Sequence, residues 1–455
     1  MPLVPSPSGR RPRVLHLTQP VDGGVARVVT DLVRAQSADG LDVAVACPDG
    51  ALAARLRALG AHVRHWRATR SPGPSAVGEV RHLARLIGEL RPDLVHAHSA
   101  KAGLAGRLAV RGRIPTVFQP HAWSFEAVGG TAAALALLWE RWGARWATRI
   151  VCVSEAERAT GVHAGIHARW TVVPNGVDTE QYRPAVATAV RGRLAPLTGV
   201  PSRAPLAVCV GRLCRQKGQD VLLRAWRTVL EKVPDARLVL VGDGPDLGRL
   251  RGHAPGSVLF AGAVADASIW YQAADLVVLP SRWEGMALAP LEAMACGRPV
   301  VVTDVDGARE SLPPALAGRC LVRPEDPAEL AAAVTALLRD PPLRESLGDL
   351  GRRHVLSLHD VRHTAEQVTD VYRDLLGARL LPRGARPSRA GTGVPPLMGG
   401  SPLARSRERG RNRERGSTTA RGAEHGQPLD RGCGTEATGT TQHVEPTEHR
   451  ESFHQ

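Results

Sequence analysis

Lysine is almost absent from this chain. Of 59 basic residues only three are lysines, Lys101, Lys217 and Lys232, and arginine supplies the other 56. A composition that puts arginine wherever it will serve makes each surviving lysine informative, because a compact ammonium differs from a planar fork. Paired cysteines are absent too. The seven cysteines (47, 152, 209, 214, 296, 320 and 433) form no C-x-x-C, and several fall inside apolar runs. That excludes a disulfide frame and fits free thiols in a reducing compartment. No window holds eighteen apolar residues, so no spanning helix is expected. The polar, basic first thirteen residues lack the apolar core of a secretory signal. The expected location is cytoplasmic, with the inner face of the cell membrane as a peripheral site. No zinc-finger, RRM or helix-turn-helix signature accompanies the net charge of +15, so nucleic acid is not an expected partner. Anionic membrane and phosphorylated substrates remain.

Where the chain is rich, it alternates. Short apolar runs alternate with amphipathic stretches over residues 12–340, the pattern of doubly wound α/β domains. Strands are expected at 13–18, 42–47, 62–66, 93–97, 115–119, 149–153 and 170–173, then at 206–210, 237–241, 257–260, 275–279, 299–303 and 320–322. The length suits two domains: 1–180, joined by a returning helix at 359–377, and 181–358, with 183–204 as linker. Residues 378–455 carry thirteen arginines, eight acids and few apolar side chains, which predicts a disordered tail. Its Arg405–Arg415 block reads as solvated, with anionic lipid or RNA contact as the alternative.

Residues 281–301, SRWEGMALAPLEAMACGRPVV, carry the most chemistry. The run before them reads as a buried strand, and Pro290 fits the first turn of a helix. Glu284 then lies in the loop at the strand's carboxyl end, and Glu292 in the first helical turn. Backbone N–H groups of about residues 287–289 are left without helical partners, which makes an anion site flanked by two carboxylates. Gly285, Met286, Ala287 and Leu288 form its loop. Donors for a phosphate beside acceptors for sugar hydroxyls suit a nucleotide-sugar. The plain alternative is that Glu292 only complements the helix dipole. Upstream, Val210-Gly-Arg-Leu-Cys-Arg-Gln-Lys-Gly218 puts Arg212 and Lys217 in a Gly-bounded loop that suits a diphosphate. Leu238-Val-Leu-Val-Gly-Asp-Gly-Pro245 places Gly242 in another strand-end turn. Near the N-terminus Val21-Asp-Gly-Gly-Val25 puts Gly23 and Gly24 after the first strand.

These motifs, with Pro174-Asn-Gly-Val-Asp178, occur in an order that resembles the retaining glycosyltransferases of family 4. The likeness covers roughly residues 12–377. It implies a GT-B fold, two Rossmann-like domains facing across a cleft. It implies transfer of a hexose from a UDP- or GDP-sugar to a glycan or lipid-linked acceptor in cell-envelope or exopolysaccharide synthesis. It places His121, just past a buried strand, beside the transferred sugar. By the same likeness Glu284 meets the sugar, Glu292 the ribose, Arg212 and Lys217 the diphosphate, and Gly23 and Gly24 a donor phosphate. With those cations neutralising the diphosphate, neither metal nor cofactor is expected. A nucleotide-sugar epimerase of the same fold, and a soluble small-molecule acceptor, are the alternatives.

Other groups stay open. Ser99 and Lys101, at a helix start, suit an acceptor phosphate. His96 and His98 read as hydrogen-bonded structure, since H-x-H has no third ligand nearby in sequence. Asp304 and Asp306 mimic a metal-binding D-x-D but read as structural, with Asp306 narrowing the sugar pocket and Glu310 contacting the donor. Trp139, Trp142 and Trp146 share a helix face with Arg141 and Arg145 nearby. Core packing is the first reading of that face, and a membrane-interface face the second, to which Trp123 adds a little.

Overall fold

Runs such as Val14–Leu17 and Val277–Leu279 are apolar on both faces, and both faces are buried under helices, as parallel sheets require. The structure, a computed structural model, describes residues 11–69 and 73–377. The expected tail and its arginine block lie outside the described residues.

The first domain runs β1 (Arg13–Thr18), α1 (Gly23–Ala38), β2 (Asp42–Cys47), α2 (Ala51–Ala58), β3 (His62–His65), α3 (Ala76–Leu90), β4 (Leu94–His98), α4 (Ser99–Val110), β5 (Thr116–Gln119), α5 (Gly130–Gly143), β6 (Arg149–Cys152), α6 (Glu155–His163) and β7 (Trp170–Val172). Its sheet is parallel, in the order β3-β2-β1-β4-β5-β6-β7. The second half runs α7 (Ala187–Arg191), β8 (Leu206–Val210), α8 (Gln219–Lys232), β9 (Arg237–Val241), α9 (Leu247–His253), β10 (Val258–Gly262), α10 (Ser268–Ala273), β11 (Leu276–Leu279), α11 (Leu288–Ala295), β12 (Val300–Thr303), α12 (Ala308–Ser311), α13 (Pro314–Cys320), β13 (Leu321–Val322), α14 (Pro327–Arg339), α15 (Pro341–Leu358) and α16 (Val361–Leu376). This sheet is also parallel, in the order β10-β9-β8-β11-β12-β13. The molecule is therefore two Rossmann-like domains. Each sheet reverses its strand order once, at β1/β4 and at β8/β11, and ligands of such sheets bind at the carboxyl ends beside that reversal.

Two stretches of chain tie the halves together. Val177 bridges to Asp360: its N–H donates to the His359 carbonyl at 2.9 Å, and the Val361 N–H donates back to Val177 at 3.1 Å. After that crossing α16 packs on α1, with Val368, Val371 and Tyr372 buried. The stretch 183–204, expected as a plain linker, holds α7 instead. There Arg191 is buried, bonded to the carbonyls of Ala273, Ser202 and Ala204 and to Asp275 at 2.7 Å. The helices α7, α12 and α13 span only four to seven residues. That is too short to show a hydrophobic period in sequence.

Candidate active site at the strand ends

The loop after β8 is shaped by glycines beneath and behind it. Gly218 has a φ of +65°, and a Cβ there would lie 1.9 Å from the Pro280 carbonyl oxygen at the end of β11. Gly242 has a φ of +138°, and a Cβ there would lie 2.1 Å from the Gly211 oxygen. No side chain fits either position, so the two strand ends close on each other and present residues 211–217. Gly242, expected at the donor site, supports this loop, and its N–H is given to Gly262 at 2.8 Å.

On that loop the Lys217 ammonium bonds the Glu284 carboxylate directly. Ser281 Oγ donates to the same carboxylate oxygen at 2.7 Å. Arg212 stands on the same loop, half-buried, and its guanidinium has no hydrogen-bond or ion-pair partner among the described residues. One cation is therefore free, and one is held by the buried Glu284. Ser281, Glu284, Ala287 and Thr303 line a recess behind this pair.

Helix α11 starts at Leu288, with Pro290 in its first turn. Glu292 is one turn further in than expected, and it is buried. Tyr271 OH donates to its Oε2 at 2.7 Å, while Arg27 Nε of α1 stands 3.9 Å from its Oε1. Burial pushes the Tyr271 hydroxyl well above its ordinary range, with the Glu292 charge adding to it, so it stays a donor. Arg27 also donates to Gln181 at 3.1 Å. Sequence reasoning missed Arg27 and Tyr271. Arg27's position one turn past the glycine pair is the only signal it offered.

Gly23 has a φ of +72° with nothing within 4 Å of where a Cβ would lie, and a Cβ on Gly24 would touch Leu288 at 3.8 Å. The glycine turn of the first domain thus faces the start of α11. Gly285 and Met286 are held from the first domain as well. Ser154 Oγ donates to the Gly285 carbonyl at 3.0 Å, and Asn175 Nδ2 to that of Met286 at 2.7 Å. A Cβ on Gly285 would fall 2.9 Å from Glu157 Oε1 and 3.1 Å from the Ala122 nitrogen. Each carbonyl thus already accepts one hydrogen bond from the first domain.

His121 arrives beside Gly285 on a turn of unusual backbone. It has a φ of +58° and Ala122 one of +109°, the left-handed side that non-glycine residues rarely adopt. The buried Glu157 carboxylate holds that turn, accepting from Ala122 N at 2.6 Å and Val153 N at 2.7 Å. Burial pushes the Glu157 carboxyl up to about 7. The His121 ring continues inward: its Nε2 lies 3.2 Å from His98 Nδ1, His98 Nε2 lies 2.9 Å from His16 Nδ1, and His16 Nε2 lies 2.8 Å from Gln36 Oε1. His96 pairs separately with Tyr372 OH at 2.6 Å. Burial pushes His16 down to about 4 and His121 to about 3, and holds His96 and His98 well below the ordinary imidazole range. The rings are therefore neutral near pH 7. The third imidazole that H-x-H lacked in sequence is His16, brought in by the β1–β4 pairing. Nitrogens of His16, His96 and His98 lie within 4.8 Å of one another.

Three expectations change, those for Lys101, Glu310 and Trp142. Lys101 is only 5 % exposed, its ammonium 2.7 Å from the buried Glu79 carboxylate, so it cannot meet an acceptor phosphate. Ser99 stays half-buried at the start of α4 with a φ of +69°. Asp304 pairs with Arg309, and Asp306 accepts from Thr160 of α6 at 2.7 Å, so the two carboxylates serve different partners. Glu310 accepts from the N–H groups of Glu155 and Ala156 at 2.7 and 2.8 Å, capping α6 across the domains instead of meeting the donor. Finally, Trp142 is 43 % exposed, beside Leu138 at 59 % and Leu135 at 67 %. The three indoles pack on one another, Trp142 and Trp146 at 4.3 Å, with Trp139 and Trp146 half-buried and Trp142 outermost. Trp123 is the buried one.

Comparison with known proteins bears on the family and the fold. The family model described as "Glycosyltransferase Family 4" matches residues 22–181, and that described as "Glycosyl transferases group 1" matches 204–340. An alpha-maltose-1-phosphate synthase of Mycolicibacterium smegmatis is 30 % identical over 388 residues, 78 % of this chain and 96 % of that protein. The UDP-Gal:alpha-D-GlcNAc-diphosphoundecaprenol alpha-1,3-galactosyltransferase of Escherichia coli is 28 % identical over 316 residues, 65 % of this chain and 78 % of that protein. Among solved structures, HepE of Anabaena in complex with UDP-glucose superposes with a TM-score of 0.69 at 24 % identity, covering 80 % of this chain and 99 % of the other.

Proposed function

This chain belongs to glycosyltransferase family 4, the group 1 glycosyltransferases of GT-B fold, and we propose that it moves a hexose from a UDP- or GDP-sugar, with retention, onto a lipid-linked acceptor in envelope or exopolysaccharide synthesis. The observation that carries the reading is the Lys217–Glu284 pair with the unpartnered Arg212 on the Lys217 loop, at the β8/β11 reversal.

In this reading Arg212 and Lys217 take the diphosphate, whose leaving oxygen gains charge as the bond from the anomeric carbon breaks. Glu284, fixed by Ser281 and Lys217, accepts from sugar hydroxyls. Glu292 keeps Oε1 for the ribose while Tyr271 holds Oε2. The N–H groups at Gly23 and Gly24, facing Leu288, approach the phosphate from the other domain. His121 orients the sugar. The acceptor oxygen attacks on the face the diphosphate leaves, and its proton passes to the departing phosphate oxygen. Arg212 and Lys217 do the neutralising, so the reaction needs no divalent ion. Turnover is expected to survive EDTA, and full loss with rescue by manganese would overturn that.

The exposed Leu135, Leu138 and Trp142 on α5, with Arg145 stacked 4.5 Å from the Trp142 ring, favour an acceptor met at a membrane surface. Among the described residues no helix is long and apolar enough to cross a membrane, so that contact is peripheral. A phosphorylated soluble acceptor is the second reading, favoured by relatives such as the D-inositol 3-phosphate glycosyltransferase of Kineococcus radiotolerans, 33 % identical over 343 residues. Slow donor hydrolysis without acceptor, screened across UDP-, GDP-, ADP- and TDP-sugars, tests the donor. UDP- or GDP-sugar hydrolysis with the α-anomer as first product is expected. Release of an epimerised sugar, or of the inverted anomer, would sink the proposal.

A further inference from the structure

We infer that Gln36, His16 and His98 set the tautomer of His121, so that His121 meets its substrate as a hydrogen-bond acceptor through Nδ1. The inference rests on the reading above for its consequence in catalysis. The geometry behind it does not.

A neutral imidazole has one N–H and one lone pair. A line of neutral imidazoles joined ring to ring must therefore donate in one direction along its whole length. The line ends on the Gln36 side-chain amide, which turns Oε1, an acceptor only, toward His16 Nε2 at 2.8 Å. His16 then carries its proton on Nε2, and its Nδ1 accepts from His98 Nε2–H at 2.9 Å. His98 Nδ1 in turn accepts from His121 Nε2–H at 3.2 Å. His121 is left with a lone pair on Nδ1, which has no partner among the described residues. Each ring in the line except His121 is fully buried, as is Gln36, so water does not offer an alternative partner inside it. Burial also disfavours the imidazolium forms that would break the rule of one N–H per ring.

The register of the sheet explains why the line exists. His96 and His98 are two apart on β4 and share a face, and Thr18 of β1 pairs with His98 while His16 pairs with His96. Gln36 comes from α1, which covers that face. At the outer end Glu157 fixes the Ala122 nitrogen, so both the backbone turn and the ring of His121 are held. Substrate then meets a lone pair of set direction, to which a sugar hydroxyl must donate. Gln36, His16 and His98 are positioning residues. They act only through His121.

The test is ¹⁵N NMR on the full chain labelled at histidine, with no ligand added. The His121 resonances are assigned by their loss in His121→Ala. Wild-type protein is expected to show a pyridine-like Nδ1 and a pyrrole-like Nε2 for His121. Gln36→Met removes the fixed acceptor and should mix the two tautomers. Gln36→Glu keeps an oxygen there and should leave the tautomer unmixed, which separates this effect from poor folding. Kinetically, Gln36→Met should lower kcat for hydrolysis of the supporting donor, UDP-glucose or GDP-mannose, roughly two- to tenfold with KM little changed. A proton on His121 Nδ1 in the wild type, or a tautomer indifferent to Gln36→Met, overturns the inference. So does one equivalent of tightly held zinc, because the lone pairs of His16, His96 and His98 would then point at the metal. If the tautomer follows Gln36 but His121→Ala hydrolyses donor at the wild-type rate, the line stands and the substrate role of His121 falls.

Discussion

Lys217 and Glu284 share one hydrogen bond, so neither can be removed without changing the other. Arg212 has no such tie. Arg212→Ala is therefore expected to lower kcat by about 10²–10³, the scale of losing one preorganised charge donor, with an unchanged melting temperature. Lys217→Ala should lose a similar factor. Adding Glu284→Ala to it should cost much less than the product of the single effects, because the pair acts as a unit. Rates near wild type in both single cation variants would remove the diphosphate assignment. Lys101 leads to a different expectation. Its ammonium and the Glu79 carboxylate are both buried, so Lys101→Ala leaves a buried charge uncompensated. A loss of about 3–5 kcal/mol in folding stability is expected, read as a lower denaturant midpoint. A normal midpoint with a raised acceptor KM would restore the acceptor-phosphate role.

At the scale of elements, α5 differs from its neighbours. Buried helices of the first domain turn apolar faces to the sheet, whereas α5 turns Leu135, Leu138 and Trp142 outward. With the tail removed at Gly377, the protein should sediment with vesicles containing anionic lipid, and less so at high salt. Each basic residue near such a surface contributes roughly 1 kcal/mol. Trp142→Ala and Leu138→Asp should weaken sedimentation and leave the melting temperature in place, since both side chains are exposed. Unchanged sedimentation in both variants would favour the soluble acceptor. The helix α6 has the opposite task. Its first turn receives Glu310 from the second domain, and its Thr160 donates to Asp306. These contacts, with Ser154 on Gly285, are where the two domains meet beside His121.

Across the whole molecule the shifted groups predict a pH dependence with a definite sign. His16, His96, His98 and His121 have folded values lowered by burial, so between about pH 4 and 6.5 the unfolded chain binds protons that the folded chain does not. Their contribution to stability rises with pH through that window. Glu126 and Glu157 are raised to about 7, and Asp31 to about 6, all by burial. Their contribution is complete below the ordinary carboxylate range and is lost as pH climbs through 6 to 7. More histidines than carboxylates are shifted, so the denaturant midpoint should fall between pH 6.5 and pH 5, and lose a little between pH 6.5 and 7, where only the carboxyls still titrate. A midpoint that rises on acidification to pH 5 would contradict the buried neutral histidines.

Sequence alone determined the elements. Apolar runs such as Leu206–Val210 are buried on both faces wherever they occur, and Gly and Pro mark their ends, so local chemistry sufficed to find the strands and most helices. It also determined which strand ends carry Glu284, Lys217 and Arg212, because those loops are bounded by glycines that close backbone approach requires. Only the tertiary structure decided what each side chain meets. Lys101 looked free until α3 brought Glu79 against it, twenty-two positions earlier in the chain. Gly242 and Gly211 touch because β8 and β9 are neighbours in the sheet, which their spacing in sequence does not state. The Trp face of α5 has a helical period that fits core and surface equally well, and period alone carries no sign of which side water lies on. His16 joins His98 through a register between β1 and β4, and Gln36 enters from α1 above them. Pairings of that kind depend on which strands lie side by side and how far each is slid along the other, and that is settled by packing over the whole sheet.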